Sequence, residues 1–380
     1  MENQLDSLIR LRKQLHRYPE LSGKEKNTPR VILNYLHDFF PDEIVSDLGS
    51  TGLALIYHGK EAGPTLMFRC ELDALPIEEK NTIDHRSFYE GISHKCGHDG
   101  HMAIVTGLAR YVSEHRPGKG RVVLLFQPAE ETGAGAAQVL ASESWAAIEP
   151  DYIFGLHNIP GYEMGEIIAR DRVFCAASTG VVIQLQGYTS HAAEPENGLS
   201  PANAMAKTIQ YLNDMPNLHA FHDFVMVTTV HASLGEKAFG VTPGKATVMA
   251  TLRSYEEQDL EVLCQLLELK VNKLAKADRL HCTLSYEDVF PATVNHQESV
   301  ALIKKATQKA GFRLLEKDEP IRWSEDFGNY LKKYEGALFG LGAGKYTPDL
   351  HNEHYDFPDQ LIPYGLSVYK NLVDKILGFN

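Results

Sequence analysis

The chain has 380 residues, of which 43% are hydrophobic, 9% aromatic and 23% charged. At roughly 100–200 residues per domain this predicts two domains, at most three, and the composition excludes a disordered chain or a coiled coil. Lys and Arg total 37 against 50 Asp and Glu, a formal net charge of −13, so nucleic acid and anionic membrane are excluded as expected partners.

No apolar stretch approaches the roughly 20 residues that span a bilayer. Residues 1–20 read as a charged amphipathic helix, without the apolar run and small-residue cleavage site of a secretory signal. Cys70, Cys96, Cys175, Cys264 and Cys282 are odd in number and widely spaced. They do not form a disulfide framework, which points to a reducing, cytoplasmic compartment.

Leu5, Leu8, Ile9 and Leu15 share one helical face, and Val31, Ile32, Tyr35, Leu36 and Phe39 another. Apolar runs of strand length follow at 53–57, 65–69, 122–126 and 152–156, with helical patterns at 102–112 and 134–145. Such alternation predicts a mostly parallel sheet covered on both faces. From 179 the rhythm changes to strand 179–187, helix 201–215, strands 224–232 and 246–254, helix 256–277 and strand 280–287. That is the β-α-β-β-α-β order of a ferredoxin-like unit of about 110 residues. Helix 298–310, strand 337–341 and helix 359–377 then resume the first rhythm. The expected architecture is α/β: a discontinuous, mostly parallel-sheet domain at 1–178 and 290–380, with a ferredoxin-like domain inserted at 179–289.

Ligands of open α/β sheets bind beyond the carboxyl ends of the strands. Just past the predicted strands stand Asp73, the pair Glu130-Glu131, His157, and a glycine-rich loop leading to His351. A fifth element, Cys96-Gly97-His98-Asp99-Gly100-His101, opens the 102–112 helix. Thiolate, imidazole and carboxylate together suit zinc or a similar ion, and scattered mixed ligands fit a catalytic site better than a structural one. The run alone would also fit a turn with Asp99 as N-cap. Neighbouring residues are expected to point apart, so one Glu of the pair would bind metal and the other would act as general base on a water acidified by the ion. The residues leave open which Glu is which. Arg253 ends a strand of the inserted domain and could clamp a substrate carboxylate bidentately.

These landmarks resemble the M20 metallopeptidase family in its amidohydrolase branch, which includes hippurate hydrolases, auxin-conjugate hydrolases and N-acetyldiaminopimelate deacetylases. The likeness runs nearly end to end, through Leu15-His16-Arg17-Tyr18-Pro19-Glu20-Leu21-Ser22, Asp73-Ala74-Leu75-Pro76, the Cys96–His101 run, Gln127-Pro128-Ala129-Glu130-Glu131, Gly155-Leu156-His157, Ser190-His191-Ala192-Ala193, Ser324-Glu325-Asp326-Phe327 and Leu350-His351. It implies two divalent ions per subunit, zinc first and manganese, cobalt or nickel as alternatives, held by Cys96, His98, Glu131, His157 and His351. It implies Glu130 as the base, Asp73 as a residue that orients a ligand, His191 as a stabiliser of the tetrahedral oxyanion, and the inserted domain as a lid that also forms a homodimer. The implied reaction is hydrolysis of the amide bond of small N-acyl amino acids. The alternatives are a dipeptidase or carboxypeptidase of the same family, or a non-catalytic relative that binds a metal or metabolite. Two positions depart from the family pattern: Glu71, where Asp is usual, and Gly240, where Asn is usual.

Overall fold

The computed structural model of the protein describes residues 4–378. Residues 1–3 of the expected N-terminal helix, and residues 379–380 of the expected discontinuous domain, lie outside them. In chain order the elements are α1 (Gln4–Arg17), α2 (Thr28–Tyr35), β1 (Glu43–Leu48), β2 (Gly52–His58), β3 (Glu61–Glu71), α3 (His98–Glu114), β4 (Lys119–Gln127), α4 (Gly135–Leu140), α5 (Trp145–Ile148), β5 (Tyr152–Ile159), β6 (Ile167–Ala169) and β7 (Arg172–Cys175). They continue with β8 (Ala177–Gln186), α6 (Ala202–Leu218), β9 (Val225–Leu234), β10 (Lys245–Ser254), α7 (Glu257–Ala277) and β11 (His281–Phe290). The chain closes with β12 (Thr293–Asn295), α8 (Gln297–Ala310), β13 (Leu314–Glu316), α9 (Gly328–Leu331), β14 (Glu335–Gly342) and α10 (Ile362–Leu377).

The chain folds as two compact units. The first comprises the described residues up to Phe174, Thr293–Pro320, and those from Glu325 onward; the second comprises Cys175–Ala292 with Ile321–Ser324. The first unit is built on an eight-stranded sheet of order β1-β2-β4-β3-β5-β14-β6-β13. Its centre, β4-β3-β5-β14, is parallel throughout. These strands are apolar runs because both faces are covered. Leu66, Phe68 and Cys70 of β3 pack into one core with Leu8 and Leu15 of α1, Val105 and Leu108 of α3, Ile303 of α8 and Tyr369 of α10. Alternation sends Met67 and Leu338 to the opposite face, where α4 and α9 lie against β4 and β14.

The second unit has an antiparallel sheet of order β11-β8-β10-β9. In order of appearance this is fourth, first, third, second, the ferredoxin-like arrangement. β10 alternates strictly between more and less buried positions. Its buried Val248, Ala250 and Leu252 meet Leu263, Leu267 and Val271, which recur every four residues on α7.

Two predicted elements differ from the structure. The helix expected over 134–145 is two short helices, α4 and α5, because the chain turns through Ser142 and Ser144 between them. The helix expected over 102–112 begins at His98, so the metal-like run is itself the first turn of α3. No helix among the described residues is long and apolar enough to cross a membrane.

Leu267 is fully buried in the core of the second unit. Replacing it by Ala removes apolar area and leaves a cavity, so Leu267→Ala is expected to lower the unfolding free energy of that unit by about 2–5 kcal/mol, read as a shifted urea midpoint.

Candidate metal centre

The carboxyl ends of the four central parallel strands define the site. β3 runs into Asp73, β4 into Glu130 and Glu131, β5 carries His157, and the segment after β14 carries His351. Cys96 and His98 flank Gly97 at the start of α3. Gly97 has φ 91°, and a Cβ there would lie 2.3 Å from the Asn158 side-chain oxygen. Only glycine lets the chain turn into the helix this close to β5. Cys96, His98, Glu130 and His157 are buried, and His351 is half exposed.

Two histidines are aimed by the same device. His98 Nδ1 donates to the Asp73 carbonyl at 2.9 Å, and His157 Nδ1 donates to the Asn158 carbonyl at 2.9 Å. Only a protonated nitrogen can donate to a carbonyl, so in the neutral ring Nε2 is the nitrogen left with a lone pair, and it faces the centre. Burial alone would lower the His98 imidazole, but the carboxylates of Asp73, Glu71 and Glu131 raise it to about 10, so a cation there would have to displace its Nε2 proton. His157 Nε2 lies 3.5 Å from Cys96 Sγ. His98 Nε2 lies 3.8 Å from both Glu130 Oε2 and Glu131 Oε1. The other oxygen of Glu131 is 3.6 Å from His351 Nε2. Three overlapping groups therefore have their donor atoms within 4.8 Å of one another: Cys96-His98-His157, Cys96-Glu131-His351 and His98-Glu130-Glu131.

The donors fit a divalent ion on chemistry and on valence. His98 Nε2 and Glu131 Oε1 are buried 3.8 Å apart with no hydrogen-bond partner. Unpaired buried polar atoms are costly, and two of them facing each other beside a thiol match a cation's demand. Proton affinities point the same way. Burial, with the charges of Glu325 and Glu131, pushes the Glu130 carboxyl well above its usual range. Burial raises Glu131 to about 7 against the pull of His98. Burial also raises the Cys96 thiol, and Glu131 and Glu130 add to it. A cation at the centre is what would let these groups ionise.

The structure departs from the expectation for the Glu pair. Side chains of neighbouring residues alternate on a strand, but Ala129 has φ 53° and the chain beyond β4 is a turn. Both carboxylates consequently reach His98. Asp99 is not an N-cap; Gly97 occupies that position, and Asp99 is buried against His16 Nδ1 at 2.9 Å and Arg12 at 3.4 Å. Asp73 accepts from Ser22 Oγ at 2.7 Å and from the Glu131 amide at 2.9 Å.

Around the centre lie buried polar groups that the sequence reading passed over or left undecided. Glu71 accepts from His101 Nδ1 at 2.6 Å and pairs with Arg69, while His101 Nε2 receives the Asn158 amide at 3.2 Å. Arg69 also binds Asp326 at 2.6 Å and Glu325 at 2.9 Å. Glu130, Glu325 and Asp326 form a further buried cluster. A lone Glu or Arg in a sequence reads as surface; the signals were the polarity of β3's last residues inside an otherwise apolar strand and the family likeness at Glu71 and Ser324–Phe327. Cys70 is buried in the apolar core.

His191 and Arg253 belong to the second unit. His191 bridges Val241, and its Nδ1 accepts the Ala193 amide at 3.1 Å, which leaves Nε2 as the protonated nitrogen. Arg253 donates to the Arg322 carbonyl at 3.2 Å and to Ser324 Oγ at 2.9 Å. His231 is exposed on β9.

Known proteins share this architecture and these sequence landmarks. The model of peptidase family M20/M25/M40 matches residues 67–375, and the chain belongs to that family. It is 31% identical over 337 residues to the N-acetyl-L-cysteine deacetylase of Bacillus subtilis, covering 88% of this chain and 80% of that one. It is 28% identical over 339 residues to the N-acetyldiaminopimelate deacetylase of Priestia megaterium, covering 89% and 90%. A dinuclear metal-binding M20 peptidase from Bacillus subtilis has the same fold, with a TM-score of 0.82 at 25% identity over 98% of both chains. The protein is a hydrolase acting on amide bonds.

Behind the centre, His16 is buried between Asp99 and Glu79. Burial alone would lower its imidazole, but the bonds and charges of Asp99, then Glu79 and Asp356, raise it to about 9 from 6.5. A proton held more tightly when folded stabilises the fold fully below the free value of 6.5, and that stabilisation is lost as pH rises through about 9. The stability advantage of the parent over His16→Gln is therefore expected to shrink between pH 6.5 and 9.5, measured by urea unfolding at each pH. An advantage that stays constant would mean that His16 is held neutral.

Proposed function

We propose that the protein hydrolyses the amide bond of small N-acyl amino acids with two divalent ions, held by Cys96, His98, Glu131, His157 and His351. The observation that carries this reading is the shared aiming of His98 and His157, whose Nε2 atoms face the thiol and the carboxylates. When bound, such ions polarise the scissile carbonyl and acidify water. Thiolate and imidazole donors favour zinc. The names of the two deacetylases support an acyl amino acid substrate.

In this reading Glu130 takes the proton of the attacking water and returns it to the leaving amine. Its support is the buried carboxylate neighbourhood that strengthens its hold on a proton. Asp73 holds both the His98 loop and the Glu131 amide. His191, with Nε2–H free to donate, would stabilise the oxyanion, and Arg253 would bind the substrate carboxylate. The second unit would act as lid and homodimer surface. The cytoplasm is the proposed compartment, since all five cysteines are free thiols.

Glu130→Gln is expected to keep its metal content and lower kcat by about 10²–10⁴-fold, because amide and carboxylate match in shape but not in basicity. Full activity of that variant on its best substrate would remove Glu130 from the reaction. Stripping metal with a chelator is expected to abolish turnover and lower Tm, with recovery on adding zinc, manganese, cobalt or nickel. Comparing acetyl-, benzoyl- and aminoacyl-glycine assigns the acyl group; preference for the aminoacyl compound would make the enzyme a dipeptidase instead.

A further inference from the structure

We propose that Glu25 is a positioning residue for the Glu130-Glu131 pair, acting through the backbone of Ala129. The proposal rests on the metal-centre reading above. Glu25 lies three residues past the Leu15–Ser22 landmark and outside every candidate ligand group, yet its side chain is fully buried. One carboxylate oxygen accepts the Ala129 amide at 2.8 Å and the Gly23 amide at 2.9 Å; the other accepts the Thr51 hydroxyl at 2.8 Å. Every one of these partners is neutral. A carboxyl group without a cation in such a place is expensive to bury, and what it secures is one amide of the loop after β4.

That amide sits where the loop is least able to hold itself. Ala129 has φ 53°, a left-handed conformation that an alanine resists. The turn is completed by the Gly133 amide on the Glu130 carbonyl at 2.7 Å and the Gly135 amide on the Ala129 carbonyl at 3.0 Å. Two residues on, the Glu131 amide is held by Asp73 Oδ2 at 2.9 Å. Glu25 and Asp73 thus grip the loop on either side of Glu130.

The two grips are themselves coupled. Ser22 Oγ donates to the same Asp73 oxygen at 2.7 Å, the Ala74 amide donates to the Glu20 carbonyl at 2.8 Å, and Leu21 bridges Ala74. The segment from Glu20 to Glu25 is therefore fastened to the end of β3 and to the loop after β4. With the grip intact, Glu130 and Glu131 both converge on His98; without Glu25, Ala129 is free to relax to a right-handed or extended backbone, which would swing Glu130 away.

The test uses the full chain and three readouts on Glu25→Ala and Glu25→Gln. Gln can still accept the Ala129 and Gly23 amides and donate to Thr51, so it is the conservative rescue. Glu25→Ala is expected to lower kcat by about 10–100-fold with little change in KM, and to weaken zinc binding by about tenfold against a chromogenic chelator. It is also expected to speed amide hydrogen exchange in a peptide spanning 127–133. Glu25→Gln is expected to stay within about threefold of the parent in all three. If Glu25→Ala lowers only Tm and leaves kcat, zinc affinity and exchange of 127–133 unchanged, Glu25 is a stability staple and the proposal is overturned. Should Glu25→Ala fail to fold, Thr51→Val removes one anchor of Glu25 and is held to the same three readouts with smaller shifts. Exchange and zinc titration need no turnover. A parent that hydrolyses no N-acyl amino acid would therefore sink the functional reading while these two measurements still decide the role of Glu25.

Discussion

Burying negative charge at one sheet edge is the constraint from which the rest of this structure follows. Glu71, Glu130, Glu325 and Asp326 are all within the interior, with a single guanidinium, Arg69, among them. A buried carboxylate costs several kcal/mol unless it is paired; Arg69 and His101 together hold Glu71 ionised, and Arg69 does not offset Glu130 and Asp326 as well. The surplus shows in the proton affinities: burial raises Asp326 to about 7 even with Arg69 beside it. Divalent cations at the neighbouring candidate donors would relieve this excess, which would link metal binding and stability of the first unit in sign.

The backbone is as specialised as the side chains. Gly97, Ala129 and His351 all have positive φ, at 91°, 53° and 65°, and all three lie in the segments that carry the donors. Only the first is a glycine. Ala129 and His351 accept strain that their neighbours hold in place: the Ala129 amide is bound by Glu25, and the His351 amide donates to the Lys95 carbonyl at 2.8 Å. Lys95 is itself anchored, its ammonium bound to Glu79 at 2.7 Å and to the Tyr355 carbonyl at 2.7 Å. The segments that carry the candidate donors are thus fixed by buried polar residues outside the donor set.

The legible part of this protein was the part with a period. β2, β4 and β5 announce themselves as apolar runs because both sides of the sheet are covered, and β10 as an alternation because one side is not. The candidate donors stood out because Glu131, His157 and His351 fell at or past the ends of predicted strands, and Cys96 and His98 in a glycine-flanked run that opens a helix. β6 and β13, three residues each, are too short to carry a period. Glu25 was not legible for a different reason, and Glu71 and His16 stood out only through the family likeness, without their partners. A polar residue in a sequence is a surface residue by default, and what buries these three is a partner elsewhere, 104 residues away for Glu25 and Ala129. The converging Glu pair was misjudged because strand alternation was carried past the end of the strand.

The division of labour within that pair follows from what lies behind each carboxylate. Glu131 faces imidazoles with both oxygens, His98 on one and His351 on the other, and its amide is tied to Asp73. Those are the surroundings of a ligand, held from two sides and placed among other donors. Glu130 has one oxygen toward His98 and the acidic cluster of Glu325 and Asp326 on its other flank. Like charges there favour its protonated form, as burial does. In the proposed reaction these neighbours would drive two adjacent carboxyl groups of the same type apart in function: Glu131 would lose its proton only to a bound cation, and Glu130 would be basic enough to take a proton from water and later release it to an amine.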